Sequence, residues 1–257
     1  MVGEHAAEDL CLVLDDEIHQ AMSIKALFPK SLKRSVRLAQ RRWKDRSEGL
    51  HRQFANTYTP INNYPFSIAL QQPIMPGETL ESKLNNLRVG ASRVNGLMIQ
   101  PGELFSFWNR VGPPTKGNGF EVGRNVVGGV LSLEVGGGLC QLSSLLYHLA
   151  MLSGMQVEER YPHSIDIYEE HERFTPLGAD ATVVYGYKDL RFRNTLDHPV
   201  VLTIDVEDDA ISASLNASNS LRTGFVQFSR SDEPHQRTVV TYVDGKEEAR
   251  SVYGILE

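Results

Sequence analysis

The stretch Val135-Gly136-Gly137-Gly138-Leu139-Cys140-Gln141-Leu142-Ser143-Ser144-Leu145-Leu146-Tyr147 combines a glycine turn, a helix start and a thiol. Leu142, Leu145, Leu146, Leu149 and Leu152 recur at helical spacing, and Gly154 is a natural stop. Cys140 therefore falls in the first turn of a helix. There the unpaired N–H groups and the positive end of the macrodipole favour thiolate over thiol. A glycine loop entering a helix also turns N–H groups outward into a nest that suits an oxyanion. A nucleophile beside an anion trap is what acyl transfer needs. The structural alternative is a small buried hydrophobe behind a tight turn.

A base would decide between the two readings, and His163 lies close downstream. The run Met155-Gln156-Val157-Glu158-Glu159-Arg160-Tyr161-Pro162-His163-Ser164-Ile165-Asp166-Ile167 reads as extended. A helix carrying the thiol, followed by a strand carrying His163, brings the two groups together without a long loop. A neutral imidazole would take the thiol proton and later return it to a leaving amine. A carboxylate would hold the ring, with Asp166 and Asp180 the nearest candidates.

Other chemistries fit less well. Cys140 and His148 stand eight positions apart on one helix, about 12 Å of rise, too far to share a metal ion. No second cysteine lies nearby and no His-Glu-x-x-His occurs, so neither a metal nor a cofactor is expected. The glycine run lacks the Gly-Lys-Ser/Thr ending of a phosphate loop. His171 sits in a charged run and His198 precedes a proline in a turn, which reads both as surface residues.

The chain of 257 residues can bury a sizeable core, and 41% hydrophobic with 23% charged residues is an ordinary globular balance. A net charge of −6 gives no reason to expect nucleic acid. The two cysteines, Cys11 and Cys140, lie far apart in dissimilar settings, which favours a single reactive thiol over a disulfide. The acidic N-terminus and the short apolar run Leu10-Cys11-Leu12-Val13-Leu14 do not read as a signal peptide, and no stretch approaches a membrane span. The expected location is cytoplasmic. An extracytoplasmic one would require a different start site or another export route.

Charge is unevenly placed. Glu4, Glu8, Asp9, Asp15, Asp16 and Glu17 make the first twenty residues acidic, whereas residues 30–46 are strongly basic. Leu32, Val36, Ala39 and Trp43 fall near one side of a helix there, so the expectation is a helix packed by that stripe with a solvated basic face. The alternative is peripheral contact of residues 30–46 with an anionic membrane. A Pro/Asn-rich junction around Thr59-Pro60-Ile61-Asn62-Asn63 divides a helical segment, 1–60, from the remainder, 61–257. Beyond it a helix is expected over residues 80–94. Phe105, Phe107 and Trp108 read as core. Strands are expected at 181–187, 190–192, 200–206, 211–215, 226–228, 238–243 and 249–253, with Asp244-Gly245 a hairpin turn.

Five ordered motifs lie between residues 101 and 200. They are Pro-Gly-Glu-x-Phe-Ser-Phe ending at Phe107, Gly-Gly-Gly-Leu-Cys-Gln-Leu-Ser from Gly136 to Ser143, and Glu-Arg-x-x-His from Glu159 to His163. Gly-Ala-Asp-Ala-Thr-Val at Gly178 and Asp-Leu-x-Phe-x-Asn from Asp189 complete the set. Together they resemble the VanW family, named for an accessory protein of vancomycin-resistance clusters. The unexported basic N-terminal portion looks like the stand-alone member rather than the larger exported relatives. The resemblance implies a peptidoglycan-related function, and some exported relatives use the domain as a cysteine L,D-transpeptidase. Carried over, Cys140 is the nucleophile, His163 its base, and Asp180 the preferred orienter over Asp166. Gly136, Gly137 and Gly138, with Gln141 and Ser143, would form the substrate and oxyanion loop. The partner would be a peptidoglycan stem peptide or precursor.

The expected fold is α+β: an N-terminal helical portion, then a cysteine-bearing helix on an antiparallel sheet, with core motifs at 101–200 and a β-rich part at 201–257. The order thiol-helix, His-strand, Asp-strand is loosely papain- or transglutaminase-like by analogy. Two functions follow: a cysteine acyltransferase acting on stem peptides, or a non-catalytic accessory protein of glycopeptide resistance.

Overall fold

A computed structural model describes residues 29–60, 64–127, 130–166, 169–170 and 173–255. Cys11, the acidic N-terminus and His171 lie outside the described residues. The chain is α+β. The helix that the leucine spacing predicts runs over Leu139–Leu152 (α4, following α1–α3 below), with Cys140 at its second position. It is buried nearly all round: Gln141 through Tyr147 are all buried, and so are Leu149, Ala150 and Met151. Each fully buried leucine stabilises by about 1.5–3 kcal/mol, so α4 is the spine of the core. It stops where Gly154 turns with φ +68°.

Around α4 the chain builds antiparallel sheets. A five-stranded sheet has the order β1-β3-β10-β11-β2, from strands β1 (Thr57–Tyr58), β2 (Phe66–Pro73), β3 (Leu97–Ile99), β10 (Val200–Val206) and β11 (Ala210–Ala217). It packs against α4 and against α2 (Leu80–Ser92). A second sheet orders β12 (Val226–Glu233), β13 (Gln236–Val243), β14 (Lys246–Ile255) and β8 (Ile165–Asp166), and its β14–β8 pair is parallel. A three-stranded sheet joins β4 (Leu104–Ser106), β9 (Arg191–Arg193) and β7 (Gln156–Glu159). The short helix α3 (Phe107–Val111) follows β4 directly, and β5 (Val122–Val127) with β6 (Val130–Val135) forms a separate hairpin. Among the described residues no helix is long and apolar enough to cross a membrane.

The turn chemistry is legible. Val243 pairs with Lys246 across Asp244 (φ +50°) and Gly245 (φ +78°), a two-residue turn whose positive φ angles match the strand twist. Phe105 stacks on Phe192 with centroids 4.6 Å apart, and Phe105 and Phe107 are core residues. Three expectations need correction. Residues 181–187 form no strand: Ala181, Thr182 and Val183 are buried, but their backbone bonds go to loops and side chains rather than a ladder. His163 stands in the loop between β7 and β8, not on a strand, and Asp180 is likewise on a loop.

The third correction concerns the basic helix, α1 (Lys30–Ser47). Its stripe does not face the core: Leu32, Val36 and Trp43 are 47%, 49% and 73% exposed. The helix docks instead through Leu38, Arg41 and Asp45. Leu38 lies over Gly186, Arg41 forks onto Glu159 at 2.9 and 2.7 Å, and Arg191 forks onto Asp45 at 2.7 and 3.0 Å. Bidentate pairs with half-buried partners specify orientation more firmly than an apolar stripe does.

Candidate active site

Gly136 (φ +88°) and Gly138 (φ +96°) adopt left-handed backbone that side chains avoid, and so deliver Cys140 to the first turn of α4. Gly137 is needed for a different reason: a Cβ there would lie 2.2–2.7 Å from the backbone of Gly123. The glycine loop therefore rests directly on β5, backbone to backbone.

His163 reaches Cys140 from the loop after β7. That loop is anchored at both ends: β7 pairs with β9, while β8 pairs with β14 and the Ser164 carbonyl accepts from Gly254 N–H at 2.9 Å. The imidazole bonds to Asp180 through Nδ1 at 2.7 Å and to the Cys140 side chain. With Nδ1 committed to the carboxylate, Nε2 is the nitrogen left for the sulfur.

Asp180 is held from every side. Its Oδ2 also accepts the His163 backbone N–H at 2.7 Å, and its Oδ1 accepts from Arg160 Nη2 at 2.8 Å and Tyr253 Oη at 2.5 Å. Burial alone would push this carboxyl up. The His163 hydrogen bond and the Arg160 charge outweigh it and hold Asp180 well below the usual carboxylate range. On His163, burial lowers the ring's pKa, but Asp180 and Cys140 overcome that and raise it to about 10. Both neighbours thus favour the protonated imidazole.

The arrangement is braced from α4 itself. Ser143 Oγ donates to the Ala181 carbonyl at 2.6 Å, and Ser144 Oγ accepts the Ala181 N–H at 3.0 Å. Two serines of the cysteine helix thus clamp the backbone next to Asp180. Ser143, expected in the substrate loop, is fully buried and bonds the backbone beside Asp180. Asp166 is occupied elsewhere, paired with Arg173 at 2.6 Å and with Arg237.

Cys140, His163 and Asp180 line a cleft of about 770 Å³, large enough for a short peptide. The oxyanion nest is narrower than the glycine run suggests. Gly136 and Gly137 donate their N–H groups to the Glu121 and Glu134 carbonyls at 2.9 and 3.2 Å. Among the described residues no hydrogen bond uses the N–H of Gly138 or Cys140. Gln141, also on the cleft wall, donates Nε2 to the Pro73 carbonyl at 2.8 Å, while its Oε1 has no partner among the described residues.

Sequence reasoning missed two supports of Asp180. Arg160 sits inside the Glu-Arg-x-x-His motif; it donates to the Asp180 and Gly178 carbonyls and to Ser251, and lies over the Tyr147 ring at 4.9 Å. Tyr253 comes from β14, and no signal near it in the sequence marks it. The last motif is structural. Asp189 accepts from Ser106 Oγ, Trp108 N–H and Arg191 Nε, and Asn194 donates to the Ile99 and His198 carbonyls.

An α+β chain with a thiol, an imidazole and a carboxylate in relay inside a cleft belongs, by its sequence, to a defined class. Residues 82–216 match the family described as VanW like protein, and the chain belongs to the VanW family. It is 31% identical over 156 residues to the vancomycin B-type resistance protein VanW of Enterococcus faecalis (strain ATCC 700802 / V583), covering 58% of this chain and 57% of that protein. It is 34% identical over 122 residues to the uncharacterized protein YoaR of Bacillus subtilis (strain 168), covering 48% of this chain and 39% of that one. The chain thus spans little more than half the length of one relative and less than half of the other. No solved structure matches it.

Proposed function

We propose that this protein is a peptidoglycan-related cysteine acyltransferase, L,D-transpeptidase-like, acting on stem peptides. The observation that carries the reading is the Cys140–His163–Asp180 relay at a helix start inside a peptide-sized cleft. Family membership supports the peptidoglycan connection. The chain order of thiol helix, His and Asp supports a loosely papain- or transglutaminase-like plan, with His163 and Asp180 on loops.

In this mechanism Cys140 gives its proton to His163 Nε2 and its sulfur attacks an amide carbonyl of the donor peptide. The carbonyl oxygen takes up negative charge facing the N–H groups of Gly138 and Cys140. His163 gives its Nε2 proton to the leaving amine as the C–N bond breaks, and an acyl thioester remains on Cys140. An acceptor amine then attacks the thioester and passes a proton to Nε2. The C–S bond breaks and the departing sulfur recovers its proton from Nε2. Asp180 keeps the ring oriented and stabilises its positive charge whenever Nε2 is protonated.

The test is incubation with stem tetrapeptides and mass spectrometry of the products. Cross-linked or exchanged peptide is expected from the native protein and none from Cys140→Ala. Because Cys140 is partly exposed to the cleft, that variant should lose only about 1 kcal/mol of stability. Full activity in it would remove the enzyme reading. A non-catalytic accessory role in glycopeptide resistance is the second reading, favoured by the name that the Enterococcus relative carries. Peptide binding without any product would select it. The outward stripe of α1 further supports peripheral contact of residues 30–46 with an anionic membrane.

A further inference from the structure

The charges on the cleft wall are unequally satisfied. Asp180 is neutralised by His163 and Arg160, and Asp166 by Arg173 and Arg237. Lys83 of α2 and Arg124 of β5 line the same cleft, yet among the described residues neither side chain forms an ion pair. Glu78, also on the wall, is in no ion pair with either. Lys83 is half-buried, and its stem lies on the glycine that precedes α4: a Cβ on Gly138 would meet Lys83 Cγ at 2.8 Å. Gly138 is also one of the two residues whose N–H groups are free beside the sulfur. Burial, with the nearby charge of Arg124, lowers Lys83 to about 8. An anion between the two cations would relieve that repulsion.

We propose that Lys83 and Arg124 form a subsite for a free carboxylate of the substrate, next to the amide that Cys140 attacks. The proposal rests on Cys140 being the nucleophile. It assigns the substrate class: a peptide that bears a free carboxylate within about one residue of the scissile bond. Two cations in a cleft gather such a group by charge, and the arginine can hold it with two hydrogen bonds. An amidated peptide of the same length would lose that attraction and leave Lys83 half-buried without a counter-ion.

Alkylation of Cys140 by iodoacetate and by iodoacetamide tests this without any knowledge of the natural substrate. The two reagents differ in the charge of one small group, and their rate ratio cancels changes in thiol reactivity. In the native protein the iodoacetate-to-iodoacetamide ratio should exceed that of a free cysteine peptide. Lys83→Met and Arg124→Met should each lower it about two- to fivefold, the size of one partly screened charge pair. Lys83→Arg should keep it. Thermal melts of each variant check that the fold persists. A fast-reacting Cys140 whose ratio is the same in all variants would overturn the subsite and leave the nucleophile standing. A Cys140 no more reactive than a free thiol toward either reagent would instead overturn the nucleophile. Loss of the preference in millimolar phosphate, but not in equal acetate, would overturn carboxylate as the ligand in favour of a phosphate group.

Discussion

A single oxygen of Asp180, Oδ2, accepts both the backbone N–H and the ring Nδ1–H of His163, each at 2.7 Å. Two bonds to one residue fix both the loop and the rotation of the ring, and leave Nε2 as the nitrogen available to Cys140. The same carboxylate balances Arg160, whose side chain is 6% exposed.

Replacing Asp180 with Asn should therefore affect two quantities separately. Acyl transfer should fall by about 10²- to 10⁴-fold, because a neutral amide neither fixes the ring tautomer nor stabilises the imidazolium. Stability should fall by about 3 kcal/mol, because Arg160 is left buried without its counter-ion. Turnover and urea denaturation measure the two. An Asp180→Asn protein with native turnover would show that the carboxylate plays no part in orienting His163.

The charge states set a pH dependence. His163 is raised to about 10, above its ordinary value near 6.5, so its contribution to stability is complete below about pH 6.5. That contribution drains away as pH climbs through about 10. Asp180 is depressed, so its contribution is present above about pH 3.9 and disappears as acid protonates the folded carboxyl. Urea midpoints should form a plateau between roughly pH 4 and 6.5 and decline from there toward pH 10. The alkaline decline should be shallower in His163→Gln. Identical slopes in both proteins would contradict the raised imidazole.

Gly137→Ala tests the backbone contact beneath the thiol. Its Cβ would overlap the Gly123 backbone at 2.2–2.7 Å, and backbone cannot swing aside as a side chain can. The β5–β6 hairpin must shift, at a cost of about 1–3 kcal/mol. Cys140 alkylation should change as the loop moves. A melting temperature unaltered by this substitution would mean that the loop and hairpin are not in contact.

The exposed stripe of α1 makes the membrane contact measurable. Vesicles with anionic lipid should retain the protein at low salt and release it at high salt, since the attraction is screened over about 10 Å at 0.1 M. Trp43→Ala should weaken retention, because that ring is 73% exposed and free to enter the interface. Equal retention on neutral and anionic vesicles would leave only a surface helix.

Local patterns were readable wherever the physics is local. Leucine spacing after the glycine run marked α4, and β-branched content between turn residues at 200–206 and 211–215 marked β10 and β11. Asp244-Gly245 marked its hairpin because only residues tolerant of positive φ close a two-residue turn. Where buried apolar residues pack without a ladder, as at Ala181 and Val183, composition reads as strand although none forms. The outward stripe of α1 was misread for a related reason. Periodicity shows that a helix has two faces, but the fork of Arg41 onto Glu159, 118 positions away, chooses which face docks.

The same division runs through the site. The sequence by itself determined the thiol at a helix start, the glycines that lead to it, and a histidine and an aspartate in nearby motifs, because each follows from residue type and short spacing. Only the tertiary structure decided that Asp180 holds His163 while Asp166 is spent on Arg173 and Arg237. It alone brought Tyr253 from the last strand, and Lys83 and Arg124 from two separate elements, to one cleft. Hydrogen bonds and charges act over a few ångströms of space, and no spacing along the chain records which distant residues will come that close.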